Sequence, residues 1–164
     1  MTEVAILSHE DFRQALDFFQ AGNFEVAGVF FGDLLESEAF HDDEVRICRS
    51  WLGLSQVLDG DKDGVVHCRI AAKDGKAPLQ VFVNLARAEL ELGHRDKLMI
   101  ALENGLSHYP DSQALNQLHD KYDRRAPPTV KFLDRDNPIN RALGAAKNAD
   151  SPLGRALELV KKRK

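Results

Sequence analysis

The sequence predicts an all-α protein, built as a stack of helical hairpins. Three observations carry that prediction. Apolar residues recur three and four positions apart through residues 8–123, the period of a helix with one buried face. The glycines Gly22, Gly60 and Gly93 each divide two such stripes and stand 38 and 33 residues apart, the spacing of repeats that are each one helix pair. Prolines bracket the clearest unit, residues 78–110.

Residues 1–7 are a short lead. Ser8 is placed to cap the first helix, with Asp11 three residues on as a loose capping box. Phe12, Ala15, Leu16 and Phe19 share one face of that helix. Ala21, Gly22 and Asn23 turn the chain into a second helix carrying Phe24, Ala27, Phe30, Phe31, Leu34 and Leu35. Residues 36–44 are acidic and polar apart from Ala39 and Phe40, and read as a loop.

The second hairpin starts near Val45, with Cys48, Trp51, Leu52 and Ser55 on one face. Asp59, Gly60 and Asp61 form its turn, with Asp61 as a cap. Val65, Val66, Cys68, Arg69 and Ala72 make a weaker second helix that ends at residues 73–76.

In the third unit Pro78 suits a first helical position, where its missing N–H would be unpaired anyway. Phe82, Leu85 and Ala86 share a face, and Gly93 is the left-handed stop. Leu98, Ala101, Leu102, Gly105 and Leu106 form the next stripe, in which small Ala101 and Gly105 let another helix come close. Tyr109 avoids helical geometry because Pro110 follows it. Asp111 and Ser112 offer a cap for a last helix over 112–124, with Leu115, Leu118 and Tyr122 inward. Such a helix covers the open face of the final hairpin.

The chain of 164 residues is long enough for one domain with a real core. It holds two cysteines, Cys48 and Cys68, and no CxxC, which reads as free buried thiols in a reducing cytosol. No apolar run reaches the ~20 residues that cross a bilayer, and no basic segment followed by an apolar core marks secretion. The expected compartment is cytoplasmic.

Charge is uneven. Residues 1–123 hold 11 Lys and Arg against 22 Asp and Glu, a net −11, while residues 124–164 hold 11 against 4, a net +7. The domain expectation is therefore a helical body over 8–124 and a basic tail over 125–164. Pro127 and Pro128 open the tail. It then runs through an apolar stretch, residues 129–133, into two copies of a 14-residue pattern starting at Asn137 and Ser151. Each copy is a short amphipathic helix that forms only when its stripe is covered.

Around Phe82, Leu85, Ala86, Gly93, Leu98, Leu102, Gly105 and Pro110 the chain resembles the tetratricopeptide repeat family. The first unit matches at Phe18, Gly22, Phe24, Ala27, Phe31 and Leu34. The second matches at Leu52, Gly53 and Gly60 and departs at Val65 and Arg69. Other helix-hairpin repeats share the period. The resemblance implies a right-handed solenoid of about three repeats with a capping helix, followed by the short C-terminal helices. It also implies a concave groove lined by the first helix of each unit: Phe12, Leu16 and Phe19, then Ser50 and Leu54, then Val83, Asn84 and Arg87. The clamp that some members form on a peptide carboxylate lacks its cations here, since its positions hold Phe12, Leu16, Trp51, Gln80 and Asn84.

Other motifs read as structural. Asp59, Asp61, Asp63 and Gly64 mimic the start of a calcium loop, but Ile70 stands where the closing Glu belongs. The six histidines lack metal spacing, and adjacent His67 and Cys68 point about 100° apart on a helix. No metal or cofactor is expected. Ser107, His108 and Asp111 lie at a turn without the context of a nucleophile. Seven of nine phenylalanines fall between Phe12 and Phe40, more than one hairpin needs, so some of Phe12, Phe19 and Phe40 are expected to face out.

The functional expectation is a non-enzymatic adaptor whose apolar groove takes a peptide or partner helix. The tail, through Phe132 and Leu133, is a candidate occupant of that groove. Through Arg155, Lys161, Lys162 and Arg163 it could instead meet an anionic membrane or nucleic acid. A secretion-type chaperone of the same repeat family is the alternative within the binding class.

Overall fold

The computed structural model describes residues 6, 8–37, 40–73 and 75–123. All fall in Met1–Asp123, one of the two units into which the chain divides. The expectations for residues 125–164, including contacts through Phe132, Leu133, Arg155, Lys161, Lys162 and Arg163, lie outside the described residues. Among the described residues the secondary structure is entirely helical.

Helices α1 (Glu10–Gln20) and α2 (Phe24–Glu36) form the first hairpin. Its N-cap is His9 rather than Ser8, and the His9 side chain makes no capping hydrogen bond. Helix α3 (Asp42–Asp59) begins three residues before the apolar stripe does, within the stretch expected as loop. Its first turn is Asp42, Asp43 and Glu44, favourable at the positive end of a helix dipole. Glu44 reaches back to accept the His41 backbone N–H at 3.1 Å. That turn needs no apolar face, which is why hydrophobic period misses it.

After α3, Asp61 Oδ1 accepts the Asp63 backbone N–H at 2.9 Å and caps a 3-10 turn, Lys62–Gly64. The short helix α4 (Val65–Ala71) follows. Helices α5 (Leu79–Glu91) and α6 (Arg95–His108) form the third pair. Pro78 is extended and sits just outside α5, one residue earlier than its expected first helical position. Helix α7 (Gln113–Tyr122) is capped by Ser112, whose Oγ accepts the Leu115 N–H. Gly22, Gly60 and Gly93 have φ of 81°, 103° and 70°, the left-handed turns expected of them.

Each helix packs on its chain neighbour, and α3 also packs on α5, so the first helices of the second and third pairs touch directly. One core runs through all of them, from Phe12 and Phe31 through Cys48, Leu54 and Cys68 to Phe82, Leu102 and Leu115. Two junctions are close enough to exclude a side chain. A Cβ on Gly105 would lie 2.7 Å from Leu115 Cδ1 and 3.0 Å from Phe82 Cβ, the close approach expected at that position. A Cβ on Gly53 would lie 2.5 Å from the Gly64 carbonyl oxygen and 2.9 Å from the Cys68 backbone nitrogen.

Candidate functional site

The residues assigned to a groove divide into two groups. Phe12, Phe19, Ser50, Leu54 and Asn84 are buried and are withdrawn as partner contacts. Phe12 packs edge-on against Phe31, at 5.5 Å between centroids, and Phe19 packs against Phe24 at 5.2 Å and Trp51 at 4.8 Å. The surplus aromatics therefore join the first hairpin to the second, where Trp51 of α3 covers what one hairpin alone would leave open. Phe40 is half-buried, edge-on to His9 at 5.2 Å.

Ser50 and Asn84 tie α3 to α5. Asn84 Nδ2 donates to Ser50 Oγ at 3.0 Å, Ser50 Oγ donates to the Ile47 carbonyl at 2.7 Å, and Gln80 Nε2 donates to Asn84 Oδ1 at 2.8 Å. Burying these groups is tolerable because each finds a partner. Leu16 and Val83 stay half-buried and Arg87 is exposed, its guanidinium 5.5 Å over the Phe19 ring. Though exposed overall, Arg87 is partly desolvated, which lowers its pKa from the ordinary value. The first-helix face thus offers three accessible residues of the eight expected.

The exposed apolar surface lies elsewhere. Among the described residues the exposed large aliphatics are Val26, Val29, Val66, Ile70 and Ile100. Val26 and Val29 are on α2, Val66 and Ile70 on α4, and Ile100 on α6, the second helix of each pair. Val29 and Ile100 are the most open, at 58% and 57%. In the sequence Val66 reads simply as part of a weak helix. The four-residue step from Val66 to Ile70, off the stripe of Val65 and Cys68, was the available signal.

Beside Val29 a cleft of about 430 Å³ opens between α2 and α3. Phe24, Gly28, Gly32, Leu52 and Gln56 line it. Its charged lining is acidic: Glu25, Asp33 and Glu36 from α2, with Asp59 and Asp61 from the end of α3 and its turn.

A second polar centre was not legible at all. Glu89, on α5, is 2% exposed, yet carries a carboxylate. Arg69 of α4 donates to it twice, at 2.7 Å and 2.9 Å, and His94 Nδ1 lies 2.9 Å away. Burial alone would raise the Glu89 pKa, but the hydrogen bonds from Arg69 and His94 outweigh it and hold it below its ordinary value. Arg69, the departure from the repeat pattern in the second unit, is the residue that fastens α4 to α5.

The thiols of Cys48 and Cys68 are buried, and burial pushes each pKa up to about 12. Their Sγ atoms lie 3.3 Å from the Phe31 and Ser50 carbonyl oxygens. Ser107 Oγ and His108 Nδ1 are 2.9 Å apart, but the hydroxyl donates to the Asn104 carbonyl at 2.7 Å. His108 Nδ1 faces that same carbonyl at 3.1 Å. Both side chains are thus drawn to one backbone carbonyl at the end of α6. Among the described residues no group of three or more His, Cys, Asp or Glu could hold a metal, and no helix is long and apolar enough to cross a membrane.

No protein-family model, curated protein or solved structure matches this chain.

Proposed function

We propose that this chain is a non-enzymatic adaptor, a tetratricopeptide-like stack of helical hairpins that binds a protein or peptide partner. Support for the stack comes from the sequential packing of helices, the α3–α5 contact and the three left-handed turn glycines. The observation that carries the binding reading is the set of exposed aliphatics on the second helices, Val26, Val29, Val66, Ile70 and Ile100. A contiguous apolar patch is a usual mark of a contact surface, and these five residues supply exposed aliphatic side chains for one. On this reading the partner meets the second helices, not the groove of first helices that the family resemblance implies.

Site-specific photocrosslinking in cells tests it. A photoreactive residue in place of Val29, Val66 or Ile100 should give a discrete heteromeric adduct, and one in place of exposed Gln14 on α1 should not. Absence of adducts at all three second-helix positions, with the fold intact, overturns the reading.

A further inference from the structure

Resting on that interaction reading, we propose that the cleft between α2 and α3 is the docking site for a cationic amphipathic helix of a partner protein.

The two glycines on its α2 wall are the first argument. Gly28 and Gly32 are four residues apart, so they stack on one helix face. Glycine inside a helix is unfavourable relative to alanine, and here the fold does not need it for space. A Cβ on Gly28 would make only an ordinary contact, 3.7 Å from Ser55 Cβ, and one on Gly32 would meet nothing within 4 Å. Gly28 is buried beside Ser55, and the missing side chain at the partly exposed Gly32 leaves room for a visiting backbone to approach α2 closely.

The second argument is chemical complementarity. The cleft's lining includes Phe24, Leu52 and the exposed Val29, which calls for an apolar stripe on the occupant. Its ionisable lining is five carboxylates and no cation among the described residues. Docking an uncharged or acidic segment would strip water from these carboxylates without compensation, whereas lysine or arginine flanking the stripe would pair with them. From Glu25 to Glu36 the α2 wall spans roughly 16 Å at ~1.5 Å per residue, the length of about three helical turns.

The test uses the full chain and a fluorescein-labelled peptide built only of leucine and lysine, with leucines at helical spacing. Two companion peptides replace every lysine by glutamate or every leucine by serine. Anisotropy should show binding of the leucine–lysine peptide that weakens as salt rises. Each companion should bind about tenfold more weakly or worse, because one loses charge and the other apolar burial. Amide NMR shifts should centre on Gly28, Gly32 and Gln56. Gly32→Leu fills the cleft from a position with free space, so it should abolish binding while the thermal midpoint stays the same or rises. Asp33→Lys with Glu36→Lys should weaken binding and flatten its salt dependence.

Equal binding of the leucine-free peptide, or full binding by Gly32→Leu, overturns the proposal. So does dimerisation through the cleft that Gly32→Leu abolishes, which would make a second copy the occupant. If Val66→Ser with Ile70→Ser removes binding and Gly32→Leu does not, the cleft is wrong and the interaction reading survives. Loss of adducts at every second-helix position removes the interaction reading itself.

Discussion

Two junctions between neighbouring helices are each built around a pair of glycines, and they come out opposite. At the α3–α4 junction Gly53 and Gly64 bring backbone against backbone, with no room for a methyl group on either. At the α2–α3 junction Gly28 and Gly32 face a gap of about 430 Å³. What stands opposite each glycine is the difference. Helix α4 follows α3 through a 3-10 turn of three residues, which holds Gly64 against Gln56 and Val57. Opposite Gly28 only the Ser55 side chain lies within 4 Å of an added Cβ, and opposite Gly32 nothing does. Removing a Cβ becomes a close contact only where something else pushes the backbones together; otherwise it leaves a hollow.

Substitutions at these glycines separate the two cases. Gly53→Ala should be the most damaging, costing about 3 kcal/mol, because the new methyl meets a carbonyl oxygen that cannot swing aside. Gly64→Ala should cost a similar amount. The double variant should cost clearly less than the sum, since one separation of the helices relieves both clashes. Urea unfolding of the three variants measures this, and simple additivity would contradict a shared junction.

Next in size is the ion pair that closes the α4–α5 junction. Glu89→Ala should cost about 2–3 kcal/mol at neutral pH, less than a fully buried pair because Arg69 stays partly solvated once alone. The Glu89 carboxyl is depressed in the folded state, so its contribution is present above the ordinary glutamate pKa of about 4.3. It is lost as pH falls through the depressed value. The stability gap between the parent and Glu89→Ala should therefore be constant near neutrality and close at acid pH. A gap that persists there would mean that Glu89 acts by packing alone.

Gly105→Ala should cost about 1–2 kcal/mol, because its near neighbours are side chains of Leu115 and Phe82 that can yield in part. The smallest effect has the opposite sign. Gly32→Ala should stabilise the protein by about 0.5–1 kcal/mol, the helix preference for alanine with no clash to oppose it. A destabilised Gly32→Ala would show that the cleft is closed in solution and would erase the contrast between the junctions.

Much of the fold was legible in local pattern. Gly22, Gly60 and Gly93 marked the turns because only glycine adopts their left-handed geometry cheaply, and Ser112 and Asp61 marked caps through side-chain oxygens at fixed offsets. The start of α3 was missed because Asp42, Asp43 and Glu44 stabilise a helix by charge, not by burial. The candidate site was less legible still. Ser50, Asn84 and Glu89 look like surface residues in sequence, and each is buried because its partner arrives from another helix pair. Val29 and Ile100 fall off the apolar stripes of their helices and are exposed.

By itself the sequence determined that the described part of this chain is helical, where it turns, and which residues can cap several of its helices. These depend on backbone preference and on neighbours within a few positions. Only the tertiary structure decided which apolar faces are covered, which charges are paired and which glycines touch backbone. Those outcomes depend on the distance between helices remote in sequence, and no local period encodes that distance.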